Sequence, residues 1–182
     1  MQHAILKNFS LLMSGQGYAG QIEQLSLPKL IMKTEDFQLG GLDSPVKMDM
    51  GLEPMSCEMT LIHYDRAMIT GFGSAVGRHH SDALKQFNLK GACQRQALAA
   101  IVPTNHNQLA EIVPVSIKLS GTWQSLDFGN WKQGELAKLV ATINVRYYQL
   151  KIGDEILIEI DIDNMTRQVD GADKLSDLQS LL

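Results

Sequence analysis

Apolar and polar side chains alternate most strictly between Leu139 and Met165. Leu139, Ala141, Ile143, Val145 and Tyr147 fall on one side of an extended chain, with Thr142, Asn144 and Arg146 on the other. Ile156, Ile158, Ile160 and Ile162 repeat the pattern against Glu155, Glu159 and Asp161. The segment Lys151–Asp154 between them holds Gly153, which suits a tight turn. The pattern predicts an antiparallel hairpin with arms of about ten to twelve residues, roughly 35–40 Å long at about 3.4 Å per residue. That is about twice the usual strand. Arms that overhang a small core leave unpaired backbone edges, which either pair with another chain or aggregate. The pattern therefore predicts a subunit that pairs its edges with copies of itself.

The same alternation predicts strands over Asn8–Met13 and Gly20–Leu27, around a turn at Ser14–Gly17. Pro28 interrupts, and Leu30–Phe37 resumes as an extended segment. Gly40–Pro45 is dense in breakers and reads as a loop. Strands follow from Val46, Met48 and Met50, and then from Cys57, Met59 and Leu61. A helix is expected over Asp65–Val76, where Met68, Ile69, Phe72, Ala75 and Val76 form one stripe and Asp65 suits the N-cap. Gly71 and Gly73 weaken it by about 1 kcal/mol each. Ala83–Cys93 is strand-like, and Val113, Val115, Ile117 and Leu119 alternate cleanly. Gln94–Leu109 reads either way, with a short helix over Ala97–Ile101 before a loop at Pro103–Asn107. A short terminal helix is expected over Asp173–Leu182, with Leu175, Leu178 and Leu182 on one side. Many strands and little helix predict a mainly β fold: an antiparallel barrel or sandwich with one flanking helix and a short C-terminal helix.

The 182 residues suit a single domain, and 45% apolar content supplies a core. Net charge is −4, too small for a nucleic-acid binder. Its distribution is uneven: residues 1–77 carry a balance of −3, residues 78–151 of +5 and residues 152–182 of −6. Blocks of opposite sign could meet head to tail in an assembly; equally, they could pair within one chain or be solvated. Cys57 and Cys93 are the only cysteines, which fits a reducing cytoplasm better than a disulfide framework. The N-terminus shows no apolar leader, and the apolar run Ala97–Val102 is too short to span a bilayer. Synthesis and folding in the cytoplasm, with no membrane insertion, are the expectation.

Candidate chemistry is thin. Gly15, Gly17 and Gly20 spell a dinucleotide-binding fingerprint, with Glu35 and Asp36 downstream. That chemistry needs a helix N-terminus behind the glycines, and the alternating residues up to Pro28 offer none. Gly71 and Gly73 have the same weakness. Asp161 and Asp163 begin a calcium-loop spacing that Met165 and Thr166 break. His79 and His80 have no cysteine or carboxylate at ligand spacing, and His63 and Cys57 lack a second ligand pair. No nucleophile elbow occurs. No catalytic residue, cofactor site or metal site is expected.

Several blocks then carry a resemblance. The first comprises Tyr18–Gly20, Leu25–Leu30, Lys33–Phe37, Gly40–Val46 and Asp49–Glu53; the second is Gly129–Glu135; the third comprises Tyr147–Leu150, Glu159–Asp161, Asn164–Met165 and Val169–Leu175. In order and spacing the chain resembles the major tail tube protein family of contractile-tailed bacteriophages, and closely the tube of R-type pyocins. The stretch from His79 to Val113 departs from the family pattern, with a longer excursion at about residues 94–108. The resemblance implies one tail tube domain over residues 1–182, similar in fold to the type VI secretion tube protein. Hexameric rings of it would stack into a hollow tube in a virion tail, inside a sheath. Implied partners are further copies, the sheath protein, a tape-measure protein, a baseplate or tube initiator, and DNA in passage. No enzymatic activity and no cofactor are implied.

Under that resemblance, residues 39–54 would be a ring-stacking arm built on Gly40, Gly41, Leu42, Pro45, Val46, Met48, Met50 and Leu52. The plainer alternative makes Met48 and Met50 ordinary core residues. Tyr147, Tyr148, Ile158 and Ile160 on the long hairpin would contribute to a sheet shared between subunits. Glu155, Glu159 and Asp161 would face the bore and make it mildly acidic. A reading of another class is a monomeric β-barrel that binds a small ligand.

Overall fold

The computed structural model describes residues 2–13, 15–38, 40–41, 43–72, 85–97 and 111–176. These form a mainly antiparallel β structure, as the alternation predicts. The strands are β1 Gln2–Met13, β2 Gln16–Gly17, β3 Ile22–Ser26, β4 Met32–Phe37, β5 Val46–Leu52 and β6 Met55–Leu61. Helix α1 spans Arg66–Gly71. There follow β7 Lys85–Ala97, β8 Glu111–Asp127, β9 Leu139–Ile152, β10 Glu155–Asp161, β11 Thr166–Val169 and β12 Ala172–Asp173.

One large sheet runs in the order β12-β11-β10-β9-β8-β7-β1-β2. It forks at β9. The C-terminal half of β9 pairs with β10, and its N-terminal half pairs with β6, which carries β3. The sheet does not close between β2 and β12, so the barrel is an open one. Its interior is solid. Leu11, Met13, Phe87, Leu119, Met55, Cys57, Met59, Leu61, Leu139, Ala141, Ile143 and Val145 meet there, with Met68 of α1 and Tyr18. The Tyr18 hydroxyl donates to the Asp65 carboxylate ahead of α1, which ties that helix to the β2–β3 connection. Burial beside a carboxylate pushes the Tyr18 phenol well above its ordinary pKa.

The long hairpin is present, with its turn at Gly153 (φ +61°). Its arms are unequal, 14 residues in β9 against 7 in β10. Two bulges change its faces. Ser120 pairs with Tyr147 and Gly121 with Val145, so Arg146 is extra. Ile156 pairs with Lys151 and Ile158 with Leu150, so Leu157 is extra. One inserted residue reverses which side of the sheet each later side chain occupies. The core positions of β9 are therefore Leu139, Ala141, Ile143 and Val145, then Tyr148 and Leu150, with Tyr147 on the opposite face. Ile156 is exposed for the same reason, while Ile158 and Ile160 face the core; Ile162 is exposed in the turn beyond the end of β10.

Other boundaries shift. Helix α1 is shorter than its stripe suggests: Met68 is buried and Ile69 packs on the core, but Phe72 is exposed. Ala75 and Val76 lie outside the described residues. Strand β7 continues through Gln94 to Ala97 because β1 extends to Gln2 and pairs with it. The rest of the expected excursion lies outside the described residues. The terminal helix does not begin at Asp173, which sits in β12; residues 177–182 lie outside the described residues.

Candidate assembly surfaces

The two faces of the large sheet differ sharply. One continuous cross-strand row on the inner side reads Met13, Phe87, Leu119, Tyr148, Ile160 and Arg167. The neighbouring row on the outer side reads Leu12, Asn88, Lys118, Gln149, Glu159 and Gln168. Gln86, Ser120, Tyr147, Asp161 and Thr166 form the next outer row, and Ser10, Lys90, Ser116, Lys151 and Ile156 another. Gln86, Lys90 and Lys118 on this polar wall are exposed, while Gln149 in its middle is only 8% exposed. The Tyr147 hydroxyl donates to Glu159 Oε1 at 2.7 Å. Burial first, then that carboxylate and Asp161, push the Tyr147 phenol above its ordinary pKa. Arg146 pairs with Asp163 beside a basin of about 330 Å³ lined by Lys118, Ser120, Tyr147 and Asp161.

These positions correct two expectations. Glu159 and Asp161 do share the polar wall, but Glu155 pairs with Ile152 across the turn and falls on the other side of the bulge at Leu157. The wall is also not acidic: Lys118 stands in the row of Glu159, and Lys90 and Lys151 stand together in the row that ends at Ile156. The four residues expected in a shared sheet divide as well. Tyr148 and Ile160 are 5% and 4% exposed, inside the core, Ile158 packs against it, and Tyr147 faces the wall. Strand β9 has partners on both sides within its own chain, so the hairpin's first arm is not a free edge. The longest open edge among the described residues is that of β1. Strand β2 covers only Leu12 and Met13, and Leu11 O accepts from Tyr18 N at 2.8 Å. From Gln2 to Ser10 that edge has no strand partner among the described residues.

The expected arm is a two-stranded ribbon, β4 with β5, separate from the large sheet. It begins earlier than residue 39, because β4 was legible only as an extended segment. Gly40 and Gly41 (φ +91°) lie at its tip with Pro45 ahead of β5, and Leu42 lies outside the described residues. The ribbon is amphipathic. Phe37 pairs with Val46 and Glu35 with Met48 on one face; Asp36 pairs with Lys47 and Thr34 with Asp49 on the other. Phe37, Val46, Met48 and Met50 are all exposed, the two methionines by 50% each. The plain alternative of core methionines thus fails for Met48 and Met50. Leu52, at the root, does pack against the core. A two-stranded ribbon is marginal by itself in water, and one with an uncovered apolar face more so.

The glycines of the fingerprint lie in and after the β1–β2 hairpin, flanked by strand, so no helix N-terminus follows them. Among the described residues no cluster of three or more His, Cys, Asp or Glu could hold a metal ion. None of their helices is long and apolar enough to cross a membrane.

Comparison with known proteins agrees with this geometry. The profile of the family described as phage tail tube protein FII matches residues 3–182. The tail tube protein of Escherichia phage P2 is 28% identical over 172 residues, covering 93% of this chain and 91% of that one. The major tail tube protein of Serratia phage KSP20 is 28% identical over 166 residues, covering 91% and 87%. In fold, the chain is similar to one from the sheath–tube complex of an extracellular contractile injection system in its extended state. That match has a TM-score of 0.55 at 9% identity, over 79% of this chain and 88% of the other. A chain from the sheath/tube terminator of such a system matches with a TM-score of 0.53 at 8% identity, over 80% and 94%. The match along nearly its whole length shows that this chain belongs to the phage tail tube protein family.

Proposed function

We propose that this chain is the structural subunit of the inner tube of a contractile tail or tail-like particle. Copies associate head to tail into hexameric rings, and the rings stack into a hollow conduit inside a sheath. The observation that carries this reading is the β4–β5 ribbon: an amphipathic element whose apolar face is exposed, with nothing covering it among the described residues. Its face would be buried against the next ring. The open edge of β1 takes the place of the hairpin arms as the strand that a neighbour completes, each backbone hydrogen bond contributing about 1 kcal/mol net. Such a contact joins one patch to a different one, which is what closing a ring by rotation requires.

The polar wall is the candidate bore lining, with Glu159, Asp161 and Lys118 toward the lumen and Glu155 outside that set. Its mixed charges and hydroxyls offer cargo no large apolar or single-sign surface to adhere to. Cargo would be DNA or a tape-measure protein, and a sheath protein and a baseplate or initiator would meet the tube elsewhere. Family membership supports a structural rather than a catalytic role in the virion tail. The small-ligand barrel loses its basis, because the barrel is open and its interior is filled by core side chains.

Negative-stain microscopy of purified protein tests the reading. Wild-type protein should give rings or tubes. Met50→Asp should give folded, soluble subunits that form neither, because Met50 is exposed in the lone subunit. Long tubes from that variant would sink the role given to the arm.

A further inference from the structure

The ribbon must leave the body at a defined angle if it is to reach a neighbouring ring in register. This inference therefore rests on the stacking role proposed above. Two features at the ribbon root bear on that angle. The first is a break in the β4–β5 ladder: pairing jumps from Met32 with Leu52 to Thr34 with Asp49, and Gly51 sits at φ +96°. A bulge with a left-handed glycine is a bending point. The Asp49 carboxylate holds it, its Oδ1 accepting from Gly51 N at 2.7 Å.

The second feature is Arg167. It pairs with Ile160 at the end of the inner cross-strand row, beyond the core. Its main chain is clamped: its N–H donates to Asp173 Oδ1 at 3.2 Å, and its carbonyl accepts from Lys174 N at 2.8 Å. Its side chain, only 18% exposed, spans a groove of about 920 Å³ between the ribbon root and the β10–β11 corner. Across that groove Nη1 reaches Met32 Sδ at 3.3 Å, and Nη2 lies 4.0 Å from Asp49 Oδ2. One guanidinium thus touches both strands of the ribbon, beside its bending point.

We propose that Arg167 is a positioning residue, a latch that sets the angle of the arm, with Asp49 joining latch and bend. The arm is held rather than welded, since an ion pair of this exposure and length is weak and salt-sensitive.

Hydrogen exchange on unassembled protein reads the latch directly. Asp49→Asn keeps the acceptor for Gly51 N and removes the charge. Amides of β4 and β5 should then exchange about twofold to fivefold faster, the range an exposed ion pair commands, while those of β8 and β9 stay as they were. High salt should reproduce the effect in the wild type and add little in Asp49→Asn, a pattern that a merely structural role would not produce. Arg167→Lys, which keeps the charge but cannot reach both strands, should fall between the two. Unchanged ribbon exchange in Asp49→Asn would overturn the proposal. In tubes, Asp49→Asn should alter the axial rise or shorten the assemblies, and normal tubes would remove the positioning role. Faster exchange together with a wild type that forms no tubes would sink the stacking reading and leave the latch standing.

Discussion

Gly121 is where the sheet changes faces. It stands beside the bulged Arg146, and a Cβ there would run into the Asn144 carbonyl and stand 2.8 Å from Ile143 Cγ2. Backbone cannot move aside as a flexible side chain can, so Gly121→Ala should cost about 3 kcal/mol in urea unfolding. The two thiols should also part. Cys57 is fully buried, and burial, then the adjacent Glu58, push its pKa up to about 12 from an ordinary 9. Cys93 is half-buried and lines an open apolar groove with Leu6 and Leu27. A thiol reagent should label Cys93 in the native protein and Cys57 only on unfolding. The sign of the pH effect follows. Between about pH 9 and 12 the unfolded chain loses the Cys57 proton and the folded one keeps it. Its contribution to stability is complete below pH 9 and is lost through that window. Melting temperature should fall from pH 8.5 to 11, and by less in Cys57→Ala relative to that variant's own value at pH 8.5. An equal fall in both would remove the thiol from the account.

At the scale of elements, alternation located β3, β6, β8 and the long hairpin, because each has one face in the core; it also marked β5, which is exposed on both faces until its root. It could not reveal the bulges. Tyr147 and Tyr148 are adjacent aromatics, and only the residue inserted at Arg146 decides which is inside. Composition does not mark such an insertion, so alternation alone puts Tyr147 and Glu155 on the wrong faces. Tyr147→Phe tests the corrected face. It removes one hydrogen bond to Glu159 without emptying the core and should cost about 1 kcal/mol. A loss of about 3 kcal/mol or more, as for a buried aromatic, would return Tyr147 to the interior. The ribbon was half legible. Val46, Met48 and Met50 read as a strand, but whether they faced a core depended on what lay opposite, which spacing along one chain does not record.

For the whole molecule, the family was readable from scattered blocks such as Leu25–Leu30 and Val169–Leu175, and the profile match over residues 3–182 agrees. The assembly surfaces were less readable, because they depend on which edges the chain leaves unfinished. Those left unfinished among the described residues include the outer edge of β1 and the apolar face of β4–β5. The long hairpin, which looked unfinished, is completed internally by β6, β8 and β11.

Completion by sister copies is the claim on which the rest depends. Hydrogen exchange compared between assembled tubes and dissociated subunits measures it residue by residue. The amides of β1 from Gln2 to Ser10 and those of the β4–β5 ribbon should gain strong protection on assembly, with β8 and β9 unchanged. Equal exchange of β1 and the ribbon in both states would contradict it.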